Sequence, residues 1–323
     1  MIIRNIAMLG GTGFIGCTLA NRLSQAGYAV RVLTRDRESH REKLILLPGL
    51  ELVETNVHVP SQLATAIAGC DAVINLVGIL NEHGRDGSGF RAVHTQLAEK
   101  VLTACRVNGV RRLLHMSALH ADAQTGPSHY LRSKGAAEDA VHAAKDLHVT
   151  SFRPSVVFGP DDDLFNRFAK LLRRIPLLFP LACAQSRFAP VFVGDVADAF
   201  VRTLNDPSSY GRRYELCGPD VYTLQQLVAY TADCLGLRRT IIPLSNFLSR
   251  VQGAVCDFVP GKPFSTDNYL STRVDSVCAC NDLPALGIQP TPLECVVPHY
   301  LSHRTQRARY QYFRSQTGRN ADA

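Results

Sequence analysis

The chain has 323 residues, 46% hydrophobic and 20% charged, which allows a sizeable core in one large domain or two ordinary ones. A formal net charge of +7 is only mildly basic, and no Lys/Arg run interleaved with aromatics precedes the tail, so no nucleic-acid partner is expected. No run of about 18 apolar residues is present, which excludes an ordinary membrane-spanning helix.

The apolar run Ile2 to Leu9 leads into Met8 to Cys17, MLGGTGFIGC, with Gly10, Gly13 and Gly16 three apart. This reads as a strand, a tight turn and a helix start. Gly10 can adopt backbone angles closed to other residues, Gly13 leaves a phosphate free access to the main chain, and Gly16 lets the helix approach the strand. Thr12, Phe14 and Ile15 complete the turn. The helix start then offers free amides and a positive dipole end to a dinucleotide pyrophosphate. Ile15, Leu19 and Leu23 follow at helical spacing, and Gly27 is placed to end the helix.

Ala29 to Leu33 is a second strand, leaving through Thr34-Arg35-Asp36-Arg37. An acidic side chain at this strand end would bind the ribose hydroxyls of NAD, but the aligned position is Thr34. Arg35 offers a partner for a 2′-phosphate and a surface for adenine. This favours NADP(H) over NAD(H), with Asp36 as the alternative acceptor for an NAD ribose. Leu50 to Val57 is the third strand, and Asn56 and Val57 at its exit are candidate adenine contacts. After a helix over Ser61 to Ala68, Ala72 to Val77 reads as a buried parallel strand ending at Gly78, where the chain must pass close to the cofactor. Asn81 to Gly89 (NEHGRDGSG) has the composition of a lid, a partner-facing loop or a plain surface loop.

Val93, Leu97, Val101, Leu102 and Cys105 share a helix face that Gly109 closes. Leu113 to Met116 is the next strand, with Ser117 at its carboxyl edge. This alternation predicts an α/β fold with a doubly wound parallel sheet, a Rossmann fold, whose ligands collect at the carboxyl ends of the strands. The segment 128–145 predicts a helix carrying Tyr130 and Lys134, a YxxxK step that puts phenol and ammonium on one face. The cation is expected to lower the tyrosine pKa from about 10, and the pair is the proton-handling machinery for hydride transfer at a carbonyl or carbinol. Tyr130, Lys134 and Ser117 are therefore the catalytic candidates. Pro154, after the sixth strand, should line the nicotinamide pocket.

The motifs GGTGFIG, HMSAL, YLRSK, FRPSVVFGP and FVGDVADAF together resemble an extended short-chain dehydrogenase/reductase. More narrowly, STDNYLSTRVDSV and LGIQPTPLE resemble the atypical branch containing the NADPH-binding accessory subunit of respiratory complex I, alpha-subcomplex subunit nine, and its bacterial relatives. The resemblance spans about residues 3 to 295. It implies a bound NADP(H) that is mainly structural or slowly turned over, with respiratory-complex or quinone-pathway proteins as partners. The alternative it leaves open is an active reductase, epimerase or dehydratase on a small carbonyl or sugar. Two departures bear on that choice: the family's paired hydroxyl residues read Ser117-Ala118 here, and the helix asparagine of its proton relay is replaced by His94.

The Rossmann unit is expected over 1–158 and completed by 189–205. A smaller α+β unit is expected from 159–188 and 206–300, and a basic tail over 301–323. Within these, Asp195 reads as a helix N-cap, and the periodicity of Phe247, Val251 and Val255 predicts a helix. The tail arginines Arg304, Arg307, Arg309, Arg314 and Arg319 read as a solvated helix or as a dock for anionic lipid or an acidic partner. The ten cysteines are scattered without a CxxC pair, which predicts free thiols, no metal site and a reducing compartment. A first strand beginning at Ile2 leaves no room for a leader, so the expectation is a bacterial-type cytoplasm or a mature chain already processed, with peripheral contact at the inner membrane as an extension.

Overall fold

The computed structural model describes residues 2–44, 47–260, 262 and 264–301. The basic tail expected over 301–323 lies outside them but for Leu301. The first half alternates strand and helix: β1 (Asn5–Leu9), α1 (Phe14–Gln25), β2 (Ala29–Thr34), α2 (Glu38–Leu44), β3 (Leu50–Glu54), α3 (Pro60–Ile67) and β4 (Ala72–Asn75). There follow α4 (Ser88–Arg91), a π-helical turn over Ala92–Gln96, α5 (Leu97–Val107), β5 (Arg112–Met116), α6 (His129–Ala143) and β6 (His148–Pro154). The second half comprises β7 (Val157–Phe158), α7 (Leu164–Arg174), β8 (Leu178–Leu181), β9 (Arg187–Phe188), β10 (Val191–Phe192), α8 (Val193–Leu204) and β11 (Arg213–Leu216). It ends with β12 (Tyr222–Thr223), α9 (Leu224–Cys234), β13 (Thr240–Pro243), α10 (Asn246–Cys256), α11 (Thr266–Ser271) and α12 (Val297–Leu301).

Seven strands form one parallel sheet in the order β11-β6-β5-β4-β1-β2-β3. The strand order reverses between β1 and β4, the switch point at which sheets of this kind take their ligands, in the crevice outside the carboxyl ends of the strands. The pleat explains why these strands read as continuous apolar runs. Ile6 and Met8 face the layer of Leu19, Leu23 and Phe200, whereas Ala7 and Leu9 face Leu63, Val101 and Val141, so both faces are buried.

Two expectations need correction here. The strand at 213–216, assigned by sequence to the smaller unit, extends the central sheet by pairing with β6, Leu216 opposite Pro154. A four-residue strand preceded by a polar turn carries no local sign of which sheet it joins. Asp195 is not an N-cap: α8 begins at Val193 after Phe192, and the Asp195 carboxylate accepts from Thr291 N at 2.7 Å and Thr291 Oγ1 at 2.9 Å. It ties the first layer to a segment 96 residues downstream.

The cysteine reading also changes. Cys217 and Cys278, 61 residues apart, form a disulfide, fastening the end of β11 to the loop before Asn281. Among the described residues Cys17, Cys70 and Cys105 take no part in a disulfide, as expected.

Candidate active site

The glycine turn stands at the carboxyl end of β1. Gly10 has φ +75°, and a Cβ there would press on the Leu76–Val77 peptide at 3.1 Å. A Cβ on Gly16 would lie 2.3 Å from Gly10 O, so only glycine lets α1 start against the turn. Gly13 is exposed and precedes α1 without a side-chain cap. Among the described residues no acceptor takes the backbone N–H groups of Phe14, Ile15 and Gly16. This is a cradle shaped for an anion: a positive helix end, open amides and no side chain in the way. The half-buried side chains of Thr12, Phe14 and Ile15 form its wall.

Beyond β2, Arg35 is exposed and makes no ion pair or hydrogen bond among the described residues. Asp36 is occupied: its carboxylate accepts from Ser39 N at 3.1 Å and Ser39 Oγ at 2.5 Å, holding the start of α2, and these bonds lower its pKa. Thr34 Oγ1 donates to Asp36 O. Asn56 is exposed past β3, with its Oδ1 taking His58 N, and Val57 is buried in the core. Pro154 closes β6, half-buried.

At the other end, Gly78 meets the reactive pair. A Cβ on Gly78 would lie 3.0 Å from Lys134 Nζ and 3.5 Å from His94 Nε2. Lys134 is buried and donates to Met116 O at 3.0 Å; burial pushes its ammonium down to about 8, against the pull of Glu138. The Tyr130 ring packs edge-on to His94 at 5.6 Å and Phe90 at 6.0 Å. Its pKa is pushed up to about 12 by burial and, secondarily, by the Asp267 carboxylate. This corrects the expectation of an acidified phenol. Lys134 is drawn towards Met116, while Asp267 accepts from His129 N at 2.7 Å and Tyr130 N at 3.1 Å, setting a negative charge at the head of α6. The phenol is thus a proton donor near neutral pH and not a base.

Ser117 does not join Tyr130. Its hydroxyl donates to Glu138 Oε2 at 2.5 Å, a buried carboxylate also gripped by Arg153 at 2.9 Å and Arg213 at 2.6 Å. Glu138 lies two helical turns below Tyr130, so Ser117 is turned away along α6. His94 is fixed at both nitrogens. Ile79 N donates to Nε2 at 3.1 Å, so the proton resides on Nδ1, which donates to Ser133 Oγ at 2.8 Å, and Ser133 donates on to Tyr130 O. The π-helical turn carries this ring, a distortion that recurs at functional positions. With Nε2 already occupied, the ring cannot pass protons from Lys134 towards water.

The 81–89 loop is better tied than its composition implies. Glu82 accepts from Gly87, Gly89 and Phe90 N, and Lys262 Nζ donates to Glu82 O at 2.7 Å and Gly84 O at 2.9 Å. Glu138, Lys262 and Asp267 went unnoticed in sequence because their partners are distant, and Glu82 because a carboxylate in a polar loop gives no sign that it folds the loop around itself. Asp267 lies in the STDNYLSTRVDSV stretch, which is the one trace of it visible there.

Two buried histidines and the half-buried His142 give the site an acid signature. Burial depresses His94 to about 2, His115 to about 3 and His142 to about 4, with Lys134 or Arg213 adding repulsion. Groups depressed in the folded state bind fewer protons than in the unfolded chain, so their stability is full above about pH 6.5 and is lost as pH falls towards these values. Urea midpoints should hold from pH 8 to 7 and fall steeply from pH 6 to 4, with unfolding taking up about three protons near pH 5. A flat profile would mean that the rings are solvated.

Residues 6–217 match the NAD dependent epimerase/dehydratase family. The chain is 32% identical over 308 residues to the mitochondrial NADH dehydrogenase (ubiquinone) 1 alpha subcomplex subunit 9 of Arabidopsis thaliana, covering 91% of this chain and 74% of that one. It is 30% identical over 252 residues to the ceramide reductase of Caulobacter vibrioides, covering 78% and 77%. A nucleoside-diphosphate-sugar epimerase from Staphylococcus aureus shares the fold with TM-score 0.71 at 19% identity, over 90% of this chain and 98% of that one. The switch-point crevice, the glycine cradle and the YxxxK helix agree with these matches: the chain belongs to the NAD dependent epimerase/dehydratase family and has its nicotinamide dinucleotide-binding fold, as an extended short-chain dehydrogenase/reductase related to complex I subunit 9.

Proposed function

We propose that this protein holds NADP(H) as a structural or slowly exchanging group and works beside respiratory complex I or ubiquinone biosynthesis. It would reside in a cytoplasmic compartment, peripheral to an anionic inner membrane. The reacting end carries the reading: Ser117 is bound to Glu138, Ala118 follows it, and His94 is closed at both nitrogens. When bound, the nicotinamide supplies a hydride. A carbonyl oxygen placed beside it meets the Tyr130 phenol but not the second orienting hydroxyl, a donor commonly worth a few kcal/mol at the transition state. Phe14, Ile15 and Gly16 N–H would bind the pyrophosphate, and Lys134 and Tyr130 would hold the nicotinamide ribose.

The preference for NADP(H) rests on Arg35 being free while Asp36 is committed to α2. Titration should show tighter binding of NADPH than NADH, and Arg35→Ser should remove most of that difference, about tenfold or more for one charge-assisted contact. Tighter NADH binding would overturn the preference. Affinity capture with and without NADPH should recover respiratory-complex or quinone-pathway proteins with the wild type; their absence under both conditions would overturn the association.

The second reading, an active NADP-dependent reductase, epimerase or dehydratase, is favoured by the intact Tyr130–Lys134 pair. It is also favoured by relatives named ceramide reductase and 2-alkyl-3-oxoalkanoate reductase. Rapid carbonyl turnover abolished by Tyr130→Phe would establish it.

A further inference from the structure

Helix α10 is packed inside out. Its buried face is made of Ser249 and Gly253, with Cys256 one turn on partly covered. Ser249 Oγ accepts from Cys183 N at 3.2 Å, and Gly253 rests against the Ser265–Thr266 backbone at the head of α11. The large apolar side chains point the other way: Phe247 is 73% exposed, Val255 60% and Phe258, just past the helix, 75%. Leu248, Val251 and Val259 are exposed with them. Upstream, β13 carries exposed Ile242 and pairs with β8, whose Leu178 is exposed too. An ordinary surface helix buries its large apolar residues and shows its small polar ones. A patch built the opposite way marks a surface that some partner covers.

The charges beside it identify that partner. Between Thr240 and Pro260 the only acidic residue is Asp257, and its carboxylate is engaged by Thr266 N and Thr266 Oγ1. Arg250, exposed on the helix, has no ion pair among the described residues. The Arg85 guanidinium lies 3.8 Å from the centroid of the Phe258 ring, and Arg238 and Arg239 precede β13. An apolar helix face bordered by arginines, with no free carboxylate of its own between Thr240 and Pro260, is complementary to an anionic lipid surface: Phe, Leu and Val enter the acyl boundary while the guanidinium groups stay among phosphates.

We infer that the exposed face of α10, with Phe258 and Val259, docks this protein onto the surface of an anionic phospholipid bilayer. This rests on the peripheral-membrane part of the proposed function and is independent of its cofactor part.

The full-length protein should sediment with phosphatidylcholine vesicles containing phosphatidylglycerol, and far less with pure phosphatidylcholine. Changing Phe247, Val251 and Val255 together to serine should lower partitioning about 100-fold. The variant should keep its melting temperature and its NADPH binding, because these side chains make no core contact. The chain has no tryptophan, so Phe247→Trp supplies a single reporter whose emission should shift to the blue on adding anionic vesicles.

Unchanged binding of the triple variant, or an unshifted Trp signal on bound protein, would overturn the inference. So would equal binding to neutral vesicles. If removing residues 302–323 abolishes binding while the triple variant binds normally, this surface is refuted but peripheral membrane contact survives. If the wild type binds no vesicles, both fail, and the NADPH titration still stands as a separate test of the cofactor reading.

Discussion

Gly16→Ala should cost both the fold and the cofactor. The added methyl would lie 2.3 Å from Gly10 O, 2.5 Å from Gly11 Cα and 2.6 Å from Gly11 C. All three are backbone atoms that no rotamer change can move, so the turn between β1 and α1 must shift. Overpacking of this kind costs about 1–3 kcal/mol or more, a fall in melting temperature of roughly 2–5 °C or more for a chain of this size. The same shift turns the Phe14 and Ile15 amides away from the pyrophosphate. Losing two hydrogen bonds to a charged group, each worth about 1.5–3 kcal/mol, weakens dinucleotide binding about 100-fold or more. Gly13→Ala separates the two effects. A Cβ there meets only Gly10 O, at an ordinary 3.4 Å, so stability should hold while the methyl obstructs the phosphates. Differential scanning fluorimetry and NADPH titration of both variants check this, and a stable, cofactor-binding Gly16→Ala would contradict the close approach.

Glu138→Ala should be the most damaging single change in the described core of α6. The carboxylate is buried, its side chain 1% exposed, and holds Arg153, Arg213 and Ser117 at once. It links α6 to β5, β6 and the outer strand β11. Removing it leaves the Arg153 guanidinium and the Ser117 hydroxyl without this acceptor and Arg213 with Asp139 alone, at 3.8 Å; with both guanidinium groups partly solvated, the loss is about 3 kcal/mol, the low end for deleting one side of a buried ion pair. The urea midpoint should drop sharply with no change in the slope. Glu138→Gln, which keeps the shape and one acceptor oxygen, should recover part of the loss. Equal stability of wild type and alanine variant would mean that the cluster is solvated.

Much of the sheet was readable because parallel strands buried on both faces are written as unbroken apolar runs, Ile6 to Leu9 and Ala72 to Ile74 among them. The cradle was readable because glycine is there for reasons of space, at Gly10 and Gly16. What escaped was long-range pairing. Tyr130 and Lys134 share a helix face as their spacing implies, but both are shifted first by burial, which no spacing records, and Tyr130 secondarily by Asp267, 137 residues away. Ser117 is at the predicted strand end, yet its orientation follows from Glu138, which reads in sequence as an ordinary helix-surface carboxylate. The Cys217–Cys278 disulfide was missed for the same reason. The helix around Phe247, Val251 and Val255 was visible as a periodicity, but the side facing the protein was the reverse of the usual one.

The proposed role requires that the dinucleotide is held without efficient turnover. Purified protein carrying NADPH should be mixed with a panel of carbonyl substrates, wild type beside Tyr130→Phe, and absorbance at the nicotinamide band followed. The expected result is retained NADPH that neither protein oxidises at a useful rate, and a cellular role that Tyr130→Phe leaves intact. Rapid oxidation by the wild type that disappears in Tyr130→Phe would contradict it.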